Sequence, residues 1–322
     1  MKSDRTGMGG AVDSPPSSFS PWPHRIALVL VWATFPLLFI GGLVTSKGVG
    51  LAVPDWPTTF GYNMFLYPWS KMVGGIFYEH SHRLIASFVG LLTIVLALTF
   101  WLREQRNWLR WLGLAALILV VVQGVLGGLR VVLLEQFLAI VHAATAQIFF
   151  ALTVCLAIFT STDWRRAPAP RIHDGGRLWR LCAVTSGLIY LQIVFGAVLR
   201  HTGERLDAHL AFAFLVALHV ILILVRVSRH HADVARLNRL ARTLLALLIL
   251  QVILGGVSYV AKFTAVWRVS FDFIVLITTA HLAVGALMLA AGVALTFRSY
   301  RLSARPLDDR SRKEILAEQF SL

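Results

Sequence analysis

Residues 78–84 read YEHSHRL and run straight into IASFVGLLTIVLALTFWL, a stretch at home in lipid. Ionisable side chains beside a membrane helix are costly to place and mark function by default. Two of them, Glu79 and His82, lie three positions apart and therefore on one helical face, whereas His80 and His82, two apart, point about 200° away from each other. The two cannot both face the bundle; the small residue four positions after His82, Ala86, favours His82, and His80 is expected to be a bystander towards lipid headgroups or another helix. A carboxylate partly removed from water gains a raised pKa and can exchange protons near neutrality, so Glu79 is a candidate to take a proton or orient a water. The plain alternative is an ion pair with Arg83.

Three further histidines share the setting of His82. His142, His209 and His281 each sit early in an apolar segment. Together with His82 they lie 17 to 23 residues before the next basic cluster at Arg165, Arg226, Arg298 and Arg103. At 1.5 Å per residue these depths agree to within roughly 9 Å. Neutral imidazoles in pairs on facing helices suit ligation of iron on both faces of a haem. Four residues after each comes Ala86, Ala146, Ala213 or Gly285, a small side chain on the same face that would let a macrocycle lie against the helix.

The elements that must position these residues follow from hydropathy. The chain has 322 residues, 57% of them hydrophobic and 14% charged, with a mean hydropathy of +0.72. Runs long enough to cross a hydrocarbon core, about 20 helical residues, recur near 26–45, 79–102, 108–129, 138–160, 178–199, 208–227, 243–262 and 271–297. The prediction is an all-α polytopic membrane protein with eight transmembrane helices in two pseudo-symmetric four-helix bundles. The runs are continuous rather than alternating, which excludes a lipid-embedded barrel. The bundles would occupy 25–162 and 178–298, joined by a cytoplasmic linker at 163–177 and flanked by a disordered tail at 1–24 and a basic tail at 299–322.

A net charge of +14 invites a nucleic-acid reading, but the basic residues sort by connection. Twenty-two of the 30 Lys and Arg fall before the first span, in the even-numbered connections or after the last span. That is a positive-inside signature, which places both termini in the cytoplasm and the histidines in the outer half of the membrane. A bacterial inner membrane is expected, since no Arg-rich presequence precedes the first span. Cys155 and Cys182 lie inside spans and support neither a disulfide framework nor a thiolate cluster.

Internal repetition adds a second pattern. LVVVQGVLGG at 119–128, LIYLQIVFGA at 188–197 and LLILQVILGG at 247–256 each place a glutamine four residues before a small pair. The first span keeps the pair as Gly41-Gly42 but has Leu37 for the glutamine. Close helix packing with an interhelical glutamine hydrogen bond, or room for a flat ligand, both explain it. The longest outer connection holds GLAVPDWPTTFG at 50–61, read either as an interfacial turn around Asp55-Trp56 or as a lid over an outward-opening site.

With these residues in view, the chain resembles the haem A synthase family from about residue 25 to 298. The resemblance is carried by GGLVTSKGVGLAVPDWP at 41–57, by Glu79-x-x-His82-Arg83, by the Q-x-x-x-G-G repeats and by the histidines of the even spans. It implies that His209 and His281 ligate a haem b cofactor in the carboxy-terminal half, while His82 and His142 face the iron of the substrate, haem O. The implied reaction turns the C8 methyl into a formyl group through successive hydroxylations, the second giving a geminal diol that loses water. Glu79, His82 and Arg83 would be catalytic, and Arg130 and Arg200, at outer helix ends, are candidates to pair with haem propionates; snorkelling is the alternative for such arginines. Four electrons must leave the substrate, so an electron acceptor is required, with a haem O synthase as donor of substrate and room for a homo-oligomer. Some family members carry a cysteine pair between the first two spans; this chain has none between 46 and 78, which excludes mechanisms that need it. The rival reading is a di-haem cytochrome b that passes electrons without altering its haem. A proton-coupled transporter lacking tightly bound haem is a third.

Overall fold

The computed structural model describes residues 20–165, 175–264, 266 and 268–303. The expected tail at 1–24 lies largely outside the described residues, as do most of the linker at 163–177 and of the basic tail at 299–322. Among the described residues the secondary structure is helical, and eight helices are long and apolar enough to cross a membrane. They are α1 (Trp22–Ser46), α2 (Gly74–Arg103), α3 (Asn107–Val132), α4 (Gln136–Thr160), α6 (Gly175–Thr202), α7 (Leu206–His230), α8 (Ala235–Phe263) and α9 (Phe271–Ser303). The single-turn α5 (Thr162–Arg165) follows α4. The protein is a multi-pass membrane protein.

In lipid every backbone polar group must be satisfied within the element, which a helix does and an open strand does not. Hydroxyls inside the spans follow the same rule: Thr34, Thr93 and Thr153 bond backbone oxygens three or four residues back. Helix contact then rests on packing rather than on exclusion of water. α1 to α4 close into a ring, α1 against α4, around Leu30, Val89, Leu96, Phe100 and Leu156. Likewise α6 to α9 close, α6 against α9, around Leu178, Ile189, Val220, Leu244 and Met288. The two rings meet where α1 and α4 touch α9 and α4 touches α6.

Several helices run beyond the apolar stretches that announce them. α2 begins at Gly74, five residues before the expected start, so YEHSHRL lies in its first turns rather than at its mouth. The helix hydrogen-bond ladder continues into polar sequence that hydropathy does not count. At the end of the molecule opposite the histidines, buried Glu104 is held by Arg106 at 2.9 Å and Arg165 at 3.1 Å. Nearby Asp163 takes Arg236 at 2.5 Å, which joins α5 to α8.

Candidate functional site

α1, α3, α6 and α8 each present one glycine to a histidine of the following long helix. A Cβ built on Gly41 would stand 2.9 Å from His82 Cε1. On Gly127 it would stand 3.2 Å from His142, on Gly196 3.1 Å from His209 and on Gly255 3.0 Å from His281. The first member of every small pair is therefore the seat of an imidazole, since only a side chain of one hydrogen lets the ring approach the helix so closely. The room at the first glycine of each pair is taken by a histidine ring.

The glutamines of the repeat reach the same rings. The amide nitrogens of Gln192 and Gln251 lie 3.3 and 3.4 Å from Nε2 of His209 and His281. With its amide nitrogen towards His142, Gln123 donates to Nδ1 at 3.1 Å and accepts from the Ala146 amide at 3.2 Å. Gly285 faces the Gln251 amide, 3.3 Å from an added Cβ. The residue at plus four thus lies against the glutamine at these two positions. Leu37 offers no such group, and His82 has no glutamine.

His209 and His281 face each other with ring centres 6.2 Å apart and planes at 67°. Two imidazoles bound to one metal through nitrogens about 2.0–2.1 Å from it have ring centres roughly 6 Å apart, so the pair fits two-sided ligation of a metal. Among the described residues the Nδ1 atoms of His82, His209 and His281 are buried without a hydrogen-bond partner, and a bound group is one explanation that such an arrangement calls for. Arg130 is a charged neighbour of His142. The donor set is nitrogen alone and comes in pairs; among the described residues no three His, Cys, Asp or Glu side chains cluster as a metal site. These residues fit a planar iron macrocycle better than a four-coordinate ion.

Above His82 and His142 lies the connection 47–73. Glu79, buried, accepts from the Val53 amide and from Arg83, each at 2.9 Å. Arg83 also donates to the backbone oxygens of Asp55, Thr58 and Val53 at 2.7, 3.1 and 3.0 Å. Arg130 donates to Gly50 O at 3.0 Å. Asp55 gathers Thr58 Oγ1, Phe60 N and Gly61 N at 2.5 to 2.8 Å. Burial would raise its pKa, yet those three bonds outweigh the effect and hold the carboxyl below the usual range. Trp56 lies flat on Gly128, where any Cβ would overlap the indole. The stretch thus packs as a strap against the ends of α2 and α3.

His80 corrects the sequence reading. It faces the connection 47–73 rather than headgroups or another helix: it is buried, bonded through Nδ1 to Thr59 Oγ1 at 3.1 Å and packed on Tyr67 at 5.2 Å between ring centres. His80 thus holds the strap at Thr59, beside Glu79 and Arg83, which hold it at Val53, Asp55 and Thr58. Thr59 and Tyr67 carried no sequence signal. Arg200, at the end of α6, donates to Gly42 O at 2.6 Å and to Ser46 Oγ, crossing from the second ring to α1.

The comparisons bear on this geometry. A family model described as cytochrome oxidase assembly protein (COX15-CtaA) matches residues 24–206. The chain is similar to the heme A synthase of Alkalihalophilus pseudofirmus, 30% identical over 175 residues covering 53% of this chain and 57% of the relative. It is 28% identical to that of Shouchella clausii over 56% of this chain and 60% of the relative. With that of Staphylococcus haemolyticus it shares 23% identity over 71% and 83%. The chain thus spans 57 and 60% of the length of the first two relatives. The family match takes in Glu79, His82, Arg83 and His142 and stops short of His209 and His281. It covers more than half of the 322 residues, and the chain belongs to the cytochrome oxidase assembly protein family.

Proposed function

We propose that the protein is a haem A synthase that oxidises the C8 methyl of haem O to a formyl group by successive hydroxylations. His209 and His281 would hold a haem b cofactor, and His82 and His142 would flank the substrate. The observation that carries the reading is the facing of His209 and His281 at 6.2 Å, each ring seated on a glycine, with the same seat repeated for His82 and His142. Bound haem b supplies one-electron redox chemistry, and an external acceptor must receive the four electrons.

The residues around the first pair do the rest. Glu79 already accepts one bond at each oxygen. Each oxygen has a further lone pair, which favours orientation of a water over uptake of a proton that would weaken the pairing with Arg83. The strap limits access of bulk water to the reacting methyl. Arg130 and Arg200 each have donors beyond those bonded to Gly50 and to Gly42 and Ser46, suited to propionate carboxylates. The membrane would be a bacterial inner membrane, with both termini cytoplasmic and the strap outside. A haem O synthase would donate substrate, and self-association is compatible with the exposed apolar faces.

Co-expression with a source of haem O, followed by chromatography of extracted haems, tests the reading. Appearance of haem A is expected. Unchanged haem O with two low-spin haem signals would select the cytochrome instead.

A further inference from the structure

α1 uses its two glycines differently from the other repeats. Gly41 seats His82 of the first ring, whereas Gly42 meets the second: an added Cβ would stand 3.4 Å from Thr279 and 3.5 Å from Leu282, the residues flanking His281 by two and one positions. Ser46, one turn on, bonds Thr278 and Thr279 at 3.1 and 2.9 Å. Arg200 of α6 completes the seam through Gly42 O and Ser46 Oγ, and it is also a charged neighbour of His281. Adjacent residues of one helix thus touch His82 of the first pair and the chain neighbours of His281 of the second, and a single guanidinium bonds that helix from the other ring.

Among the described residues Arg200 has neutral acceptors only, and they engage one of its nitrogens. A guanidinium has five N–H donors and suits a carboxylate that it can hold in a fork. A cation in a membrane seam without a counter-ion is costly, and an anion beside it relieves that cost.

We propose that Arg200 is a positioning residue that couples the two sites. A carboxylate of the macrocycle bound by His209 and His281 neutralises Arg200, which then holds α1 through Gly42 in the register that seats His82 on Gly41. Filling the second site strengthens binding at the first. By linkage the first strengthens the second equally. The inference rests on the haem reading of both pairs.

The test titrates the full-length protein, produced without haem, with iron protoporphyrin IX and with its dimethyl ester, read by absorbance. The signal lost in His82→Ala assigns the first site. With the acid, His209→Ala and Arg200→Gln should each weaken the first site by about fivefold or more, the low end of ordinary coupling between sites. Arg200→Lys should recover part of the loss. With the ester, Arg200→Gln should have no effect. Ser46→Ala, a mild change that keeps Arg200, should give a partial loss. Equal first-site affinity in wild type, His209→Ala and Arg200→Gln would overturn the coupling. Failure of any histidine substitution to remove a signal would instead overturn the haem reading itself.

Discussion

Glu79 and Arg83 form an ion pair, 2.9 Å apart and one helical turn from each other, whose remaining bonds run to the strap at Val53, Asp55 and Thr58. The side chains are 4% and 10% exposed, so neither charge has water to fall back on. Removing one partner of a buried pair costs about 3–5 kcal/mol because the other is left uncompensated. Glu79→Ala should therefore abolish haem A formation and speed proteolysis within 47–73. In Glu79→Gln the shape survives but the charge does not, and turnover should fall further than protease resistance. Undiminished haem A in either variant would sink the role assigned to Glu79.

The paired glycines separate into seats and spacers. At Gly255 an added Cβ would stand 3.0 Å from the His281 ring, whereas at Gly256 nothing lies within 4 Å. Gly255→Ala should displace the ring and alter or remove the second-site haem spectrum. Gly256→Ala should leave the spectrum intact and raise thermal stability slightly, since Ala exceeds Gly in a helix interior by roughly 0.5–1 kcal/mol. Equal spectra in the two variants would refute the assignment of Gly255 as the seat.

Much of this was legible in the sequence because lipid makes the rules few. Eight spans, the four histidines and the Q-x-x-x-G repeats follow from apolar length and spacing, and the structure brings the histidines and repeats together as neighbours. What spacing could not give is which partner a small residue serves. Gly127 and Gly128 look alike in sequence, yet one seats His142 and the other Trp56 from a loop some 70 positions away. The surroundings of His80 are hidden in the sequence for the same reason: its partners Thr59 and Tyr67 lie in irregular chain whose path no periodicity reports.

His80 and His82 should part company on substitution. His82→Ala removes a ring seated on Gly41 and should erase the first-site haem signal. His80→Phe keeps the bulk packed on Tyr67 but loses the bond to Thr59, worth roughly 1 kcal/mol. Both haem signals should persist in His80→Phe, while proteolysis of the strap quickens. Thr59→Val should reproduce that behaviour. A loss of haem in His80→Phe equal to that in His82→Ala would return His80 to the ligand set.

Acid should unfasten the opposite end of the molecule at Glu104. Burial alone would raise the pKa of this carboxyl, and it is the largest influence. The bonds and charge of Arg106, with the charge of Arg165, outweigh it and hold the group below its usual range. A folded-state pKa below the unfolded value means that the stabilisation is complete above about 4.5, the ordinary value, and is lost as pH falls through the folded one. The melting temperature of the detergent-purified protein should therefore drop on acidification below that point. Glu104→Gln removes the titrating group and leaves Arg106 and Arg165 without their shared anion. Its deficit against wild type should be greatest near neutral pH and shrink as the wild-type carboxyl protonates. A deficit that stays constant from pH 7 to the lowest pH at which the protein folds would show that Glu104 acts through shape and not through charge.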